Sequence, residues 1–224
     1  MTAEEILKYL RSLANPDNVG GMARFGINPD NTLGVSIPNL RALARQVGHD
    51  HALAQELWGS GVHEAHILAA LIDRPNQVSE AQMEAWVLDF DSWDVCDQVC
   101  SNLFDRTPFA WDKAHAWSTR PEEFVRRAGF VLMAALATHD KKASDEQFTA
   151  LFPRMVAAAN DERNFVRKAV NWALRGVGKR NRNLNRLAIE AAQEIQAVGG
   201  KTARWIAADA LRELMSEKIR AKLK

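Results

Sequence analysis

Three stretches of similar pattern decide the fold: VRRAGFVLMAAL at residues 125–136, VRKAVNWALRGVG at residues 166–178 and TARWIAADALREL at residues 202–214. Each spaces its apolar residues with the period of a helix that buries one face. Their starts lie 41 and 36 residues apart. A unit of about 40 residues is typical of HEAT and armadillo arrays, in which helix pairs stack into a solenoid with a concave binding face. The repeats therefore favour a solenoid, and an irregular helical bundle remains the alternative.

The rest of the chain also has a helical period, and no run alternates apolar and polar residues as a strand would. Besides the helix that Ser36-Ile37-Pro38 opens at 39–47, helices are predicted at residues 2–13, 52–58, 62–73, 79–89, 92–103, 109–117, 121–138, 144–158, 163–178, 183–197, 201–214 and 216–223. We therefore predict an all-α fold, a HEAT-like helical-repeat solenoid, that forms a single domain over residues 1–224.

Composition places the chain among folded proteins of aqueous compartments. Of its 224 residues, 47% are hydrophobic and 25% are charged, and no apolar run approaches the roughly 18 residues that cross a bilayer. The N-terminus, MTAEEILKYLRSL, begins with acids where a signal peptide has basic residues. We expect a soluble cytoplasmic monomer, associated with the nucleoid if the source is bacterial, with no membrane partner.

The spacing of cysteine and histidine predicts neither a metal nor another cofactor. Cys96 and Cys100 lie four residues apart in one helical segment, which suits neither a long-range disulfide nor a four-ligand metal site, so we expect reduced thiols. His63 and His66 lie three apart without a third ligand nearby, and they are expected to be partly exposed helical histidines.

The net charge of +1 conceals two halves of opposite sign. Residues 163–224 hold 15 Lys+Arg against 5 Asp+Glu, whereas residues 1–162 hold 14 against 23. A basic C-terminal third indicates a polyanionic partner such as nucleic acid, although a merely solvated basic surface would have the same composition.

The densest polar cluster is DFDSWDVCD at residues 89–97. Part of it is expected to cap a helix, through Asp91 or Ser92. Trp93 and Asp97 lie four residues apart and so share one helix face. An indole attracts a cation, and a carboxylate beside it can stabilise positive charge that develops on a sugar. A core tryptophan next to a capping acid is the alternative that this spacing leaves open.

A second candidate surface follows residues 166–178. Lys168, Trp172, Arg175 and Lys179 fall at positions i, i+4, i+7 and i+11, which form one basic stripe with a tryptophan in its centre. Such a stripe is suited to phosphate contacts combined with stacking on a base. Arg180, Arg182 and Arg186 extend the positive charge, and one arginine of the Arg126-Arg127 pair is expected to reach a phosphate. The other tryptophans, Trp58, Trp86, Trp111, Trp117 and Trp205, are expected to pack within or between repeats.

Several separated motifs resemble, in order and spacing, the AlkD-like DNA alkylation repair family of HEAT-like-repeat glycosylases. They are Ser92-Trp93-Asp94-x-x-Asp97, Val125-Arg126-Arg127-Ala128, Val166-x-Lys168-Ala169-x-x-Trp172-x-Leu174-Arg175, and the N-terminal Met22-Ala23-Arg24-Phe25 with Leu33-Gly34-Val35-x-x-Pro38-x-Leu40-Arg41. Motifs in register over residues 20–179 are more specific than any one of them.

The resemblance implies an activity and a role for particular residues. Asp97 takes the position of the catalytic aspartate, Trp93 and Trp172 those of two tryptophans that line the cleft, and Arg127 that of an arginine that holds the DNA backbone. The family excises cationic N3- and N7-alkylated purines, such as 3-methyladenine and 7-methylguanine, from duplex DNA without flipping the base. The expected product is an abasic site.

Two functions therefore remain from the sequence. The first is a monofunctional glycosylase with Asp97 as its catalytic residue, and with Lys168, Arg175, Lys179, Arg180 and Arg182 on the DNA backbone. The second is a helical-repeat scaffold that binds DNA or RNA structure, or a protein, through the same basic concave face without catalysis. Asp97 favours the enzyme, because a carboxylate in a scaffold's groove would repel phosphate.

Overall fold

The computed structural model describes residues 1–223, which are α-helical apart from one short 3₁₀ helix and the connecting loops. They form two compact units, Met1–Pro108 and Phe109–Lys224, with Lys224 outside the described residues. The single domain expected from the sequence stays a prediction. Within residues 1–223, no helix has both the length and the apolarity that a membrane span requires.

The first unit contains seven α-helices in its described residues. They are α1 (Ala3–Ser12), α2 (Pro16–Arg24), α3 (Ile37–Val47), α4 (His51–Trp58), α5 (His63–Ile72), α6 (Glu80–Leu88) and α7 (Trp93–Asn102), followed by a 3₁₀ turn at Phe104–Arg106. Helix α5 is buried along most of its length and packs against α3, α4 and α7. It is therefore the element that positions α7.

Helix α2 was not predicted, although its N-terminus carries a readable signal. The Asn15 side chain accepts hydrogen bonds from the backbone N–H groups of Asp17 and Asn18, and Pro16 occupies the first helical position. The helix buries none of its own residues. It lacks the apolar stripe from which the other helices were recognised, so the hydrophobic period alone missed it.

The second unit is arranged around two long helices in the middle of its sequence. Its described helices are α8 (Ala110–Trp117), α9 (Glu123–His139), α10 (Asp145–Thr149), α11 (Phe152–Ala157), α12 (Asn164–Gly178), α13 (Arg182–Val198), α14 (Lys201–Leu214) and α15 (Glu217–Arg220). Twelve of the seventeen residues of α9 are buried, because α8 and α12 cover it on both sides. Helix α12 in turn packs against α13 and α14.

The continuous helix predicted over residues 144–158 is wrong, since the structure divides it into α10 and α11. Pro153 lies in the first turn of α11, where its missing N–H costs no intrahelical hydrogen bond. Within one long helix, the same proline would remove a hydrogen bond and clash with the preceding turn. The break at Ala150 and Leu151 places both helices against α13.

The predicted repeat corresponds to helices that lie side by side in the second unit. The Asn171 side chain donates to Asp209 Oδ2 at 2.7 Å, and Arg175 Nη1 donates to Glu213 Oε2 at 2.8 Å, each across 38 residues of sequence. A constant sequence separation along two helices means that they run parallel. Helices α12 and α14 are therefore equivalent members of successive helix pairs.

Candidate nucleic-acid interface

The predicted Trp93–Asp97 pair lies in the first two turns of α7. Both side chains are half-buried, and their spacing of four residues places them on one face. Trp93 Nε1 donates a hydrogen bond to the backbone carbonyl of Phe25 at 3.1 Å. This bond fixes the orientation of the indole relative to the N-terminal segment.

The prediction that the side chain of Asp91 or Ser92 caps α7 is wrong. Ser92 is the N-cap residue by position, but its side chain makes no capping hydrogen bond. Its hydroxyl donates to Asp91 Oδ1 at 3.0 Å, and Asp91 Oδ2 accepts from the Asn28 side chain at 2.7 Å. Asp91 therefore ties α7 to the loop after α2 instead of closing the helix.

A buried carboxylate holds that loop. Glu64, which is 1% exposed, accepts backbone N–H hydrogen bonds from Leu33, Gly34 and Val35 at 2.6–3.1 Å. Gly34 has a φ of +79°, and a Cβ there would lie 2.3 Å from the Asn15 carbonyl oxygen, so only glycine fits. The N-terminal motif residues thus build the support for Trp93.

His63 is buried, which corrects the expectation of a partly exposed histidine. Its Nε2 lies 2.9 Å from Asp94 Oδ2, and the two side chains are 3% and 13% exposed. Asp94 Oδ1 is also buried and has no hydrogen-bond partner among residues 1–223. His63 and Asp94 line a cavity of about 610 Å³ together with Trp93, Phe25, Ile67 and Gln98.

The stability that the His63–Asp94 pair contributes to the folded state depends on the charge state of His63. Burial lowers the pKa of His63, but the hydrogen bond to Asp94 and the negative charges of Asp94, Glu64 and Asp91 together outweigh burial, so the pKa is raised above 6.5. Protonated His63 is favoured in the folded state, so this contribution is complete below pH 6.5 and is lost as the pH rises through the raised pKa.

We therefore expect the free energy of unfolding of wild type to exceed that of His63→Asn by more at about pH 5.5 than at about pH 8. Urea unfolding of both chains at the two pH values measures this difference. The exposed His49, replaced by Asn, is the matched control for the loss of an imidazole outside this pair. An equal difference at both pH values would contradict the assignment.

Cys96 and Cys100 lie on α7, behind the face that carries Trp93 and Asp97. Cys96 and Cys100 are fully buried and are not joined in a disulfide. Burial raises the pKa of the Cys100 thiol, and Cys96 raises it further. The Cys100 thiol is therefore held in its protonated form at neutral pH, and both cysteines serve as packing residues.

The second unit carries the other predicted site residues. Trp172 is half-buried on α12 and borders a cavity of about 480 Å³ that Lys141, Lys179 and Arg180 also line. Arg127 is only 5% exposed, and its Nη1 donates to the Phe165 carbonyl at 2.6 Å at the start of α12. Its neighbour Arg126 pairs with Asp161 at 3.4 Å.

Two cations of the basic stripe are paired with acids of α14. Arg175 Nη1 lies 2.8 Å from Glu213 Oε2 and 3.4 Å from Asp209 Oδ2, and Lys179 Nζ lies 3.0 Å from Glu213 Oε1. Lys179 and Arg175 lower the pKa of Glu213 against the opposing effect of burial, so this carboxylate stays charged. The positive charge at this end of the stripe is therefore partly compensated within the protein.

The remaining predicted backbone contacts differ in how exposed they are. Arg180 donates to the Ala137 carbonyl at 2.7 Å and lies 4.1 Å above the Phe148 ring, and burial lowers its pKa. Arg182 is exposed, and its Nε donates to the Leu223 carbonyl at 3.3 Å. Lys168 is exposed and has no carboxylate partner among the described residues.

The structure shows two features that sequence reasoning missed. The first is the buried His63–Asp94 pair, whose partners lie 31 residues apart and show no joint signal in the sequence. The second is Trp205, which is 39% exposed instead of packed. Its spacing of four residues from the exposed Lys201 was a readable sign of a surface position.

The stacked helix pairs with their constant register define a HEAT-like helical-repeat protein. The chain belongs to the family described as DNA alkylation repair enzyme, whose model matches residues 6–214. It is 24% identical over 203 residues to an uncharacterized protein of Listeria innocua, and the aligned region covers 88% of each chain.

A solved structure confirms the predicted fold class. It has a TM-score of 0.78 with this chain, is 20% identical, and covers 100% of this chain and 97% of its own. That structure is described as a new family of proteins related to the HEAT-like repeat DNA glycosylases with affinity for branched DNA structures. At this identity the likeness shows the all-α HEAT-like fold.

Proposed function

We propose that this protein is a monofunctional DNA glycosylase that hydrolyses the N-glycosidic bond of cationic N3- and N7-alkylated purines in duplex DNA. The observation that carries the proposal is the Trp93–Asp97 pair, half-buried on one face of α7 in a member of a DNA alkylation repair family. The substrates are lesions such as 3-methyladenine and 7-methylguanine, cleaved without base flipping, and the product is an abasic site.

The chemistry of the lesion matches a single carboxylate. An alkylated purine already carries a positive charge and departs as a neutral base, so no acid has to protonate it. The barrier lies in the positive charge that develops on the sugar, which a nearby carboxylate stabilises while it orients a water. Asp97 takes this role. No lysine lies in residues 91–97, so no amine there would form a Schiff base and cut the strand.

Trp93, Trp172 and Arg127 contact the lesion nucleotide and the backbone beside it in this proposal. The fixed indole of Trp93 supports the first contact, because a ring held by its own N–H offers its face to a cationic nucleotide at little entropic cost. The proposed backbone contacts are Lys168, Arg175, Lys179, Arg180 and Arg182. Of these, Lys168 is best placed, since Arg175 and Lys179 must exchange Glu213 for a phosphate.

Lys168→Gln is expected to reduce the salt dependence of DNA binding. Removing one phosphate contact lowers the slope of log affinity against log salt by about 0.9. Titrations of duplex DNA at several salt concentrations measure the slope. Lys8→Gln, at an exposed position of α1, is the matched control, and the same slope in wild type and Lys168→Gln would contradict the contact.

The direct test is the release of free bases from methylated duplex DNA. The wild-type chain should liberate 3-methyladenine and 7-methylguanine, and the treated DNA should break at abasic sites only after alkali. Strand cleavage without alkali would contradict a monofunctional enzyme. Tight duplex binding with no release of either base would contradict the proposed glycosylase activity.

The second candidate is a scaffold that binds branched nucleic acid without catalysis. The description of the structural neighbour, which gives affinity for branched DNA structures, favours it. A scaffold would bind a four-way junction more tightly than a linear duplex of the same length and would release no base. An enzyme of the proposed kind would release bases from the linear duplex.

A further inference from the structure

Trp205 is exposed on α14 in a unit whose other tryptophans are half-buried or buried. Its residue exposure is 39%, compared with 0% for Trp117. The guanidinium of Arg167, on α12, lies 5.3 Å from the centre of its ring. Arg167 is held there through Nη2, which donates to Asn164 Oδ1 at 3.1 Å. The indole is thus a positioned surface group with a cation beside it.

Helices α12 and α14 run parallel with a constant register, so their exposed faces form one continuous surface. Arg167 and Trp205 are 38 residues apart, the same separation as Asn171–Asp209 and Arg175–Glu213. Parallel helices with a constant separation keep equivalent positions side by side. The Trp205 end of α14 therefore adjoins the end of α12 that carries Lys168.

The charge on this surface is uneven. At the Trp205 end, Arg167, Lys168, Lys201 and Arg204 have no carboxylate partner among residues 1–223. At the other end, Asp209 and Glu213 pair with Arg175, Lys179 and Arg212. Lys201 lies one turn before Trp205 on the same face of α14, and Arg204 is its neighbour. An exposed indole thus lies among four uncompensated cations.

We propose that this surface, which comprises Arg167, Lys168, Lys201, Arg204 and Trp205, binds an unpaired DNA strand by stacking a base on the Trp205 indole. The cations provide contacts for the flanking phosphates. Any base can stack on an indole, but a base inside a duplex already has both faces covered by its neighbours. The surface therefore favours DNA with an unpaired segment beside a duplex over a continuous duplex. The inference rests on the DNA binding in the proposed function and is independent of base excision.

The test compares two labelled DNAs with the same duplex, one blunt and one with a single-stranded extension of about ten nucleotides. Fluorescence anisotropy should show that wild type binds the extended DNA about fivefold more tightly or better, which is the size of one stacking contact. Trp205→Ala should lose this preference and keep its affinity for the blunt duplex, whereas Trp205→Phe should keep part of the preference. The control is Met215→Ala, because Met215 is a 49% exposed apolar residue just after the same helix.

A base analogue in the extension reports stacking directly. The fluorescence of 2-aminopurine should fall when wild type binds and should stay unchanged with Trp205→Ala at saturating protein. Thermal melting of the variant shows whether α14 has kept its fold.

Three results would overturn the inference. An equal preference for the extension in wild type and Trp205→Ala would do so, and so would an equal affinity of wild type for both DNAs; both leave the proposed glycosylase intact. The absence of binding to either DNA would overturn the proposed function as well, and it would point to an acidic protein as the occupant of this surface.

Discussion

Asp97→Asn is expected to lower the rate of base excision by about a hundredfold or more. Asparagine has the shape of aspartate but no negative charge, so it cannot offset the positive charge that develops on the sugar. Binding should persist, because a carboxylate repels nearby phosphates and its removal cannot weaken their contacts with the protein. Single-turnover release of 7-methylguanine gives the rate, and titration with the same duplex gives the affinity.

The control for this variant is Asp112→Asn, an exposed carboxylate on α8. It should excise bases at the wild-type rate. If Asp97→Asn loses binding, excision and thermal stability together, Asp97 has a structural role. If it excises bases normally while folded, the catalytic carboxylate lies elsewhere, and the Trp93–Asp97 face no longer supports the proposed mechanism.

The helical fold was predictable because its period is local. Residues 125–136, 166–178 and 202–214 carry their apolar pattern within single helices, and the structure places all three in helices that pack against a neighbour of the same unit. Burial of one face decides the state of such segments, so pattern alone is sufficient. Helix α2 was missed for the same reason, since a helix that buries none of its residues has no such pattern.

The electrostatics of the candidate site were less predictable, because charges are paired across helices. The sequence places Lys168, Arg175 and Lys179 on one stripe, but it does not reveal that Glu213 of α14 lies within 3.0 Å of both Arg175 and Lys179. Such pairs depend on tertiary packing at a separation of 34–38 residues. The sign of the charge on a helix face could therefore be predicted from the sequence. The part of that charge that stays unpaired in the folded protein could not.

The second large effect is expected from Gly129→Ala in α9. A Cβ at this position would lie 2.4 Å from Ser118 N, 2.8 Å from Ser118 Cα and 2.9 Å from the carbonyl carbon of Trp117. These atoms are backbone at the end of α8 and cannot rotate away, so the two helices must separate. We expect a loss of about 2 kcal/mol in the free energy of unfolding, even after the gain in helix propensity of up to about 1 kcal/mol. Thermal melting should show a midpoint lower by about 5 °C.

Gly176→Ala in α12 is the matched control for the same chemical change. Its Cβ would meet Ala134 Cα at 3.6 Å, an ordinary van der Waals contact, so only the gain in helix propensity remains. This variant should melt at or above the wild-type midpoint. The reverse order of the two midpoints would contradict the close approach of α8 and α9. Because destabilised chains refold on cooling, Gly129→Ala should recover base excision at low temperature, whereas Asp97→Asn should not, which separates loss of fold from loss of chemistry.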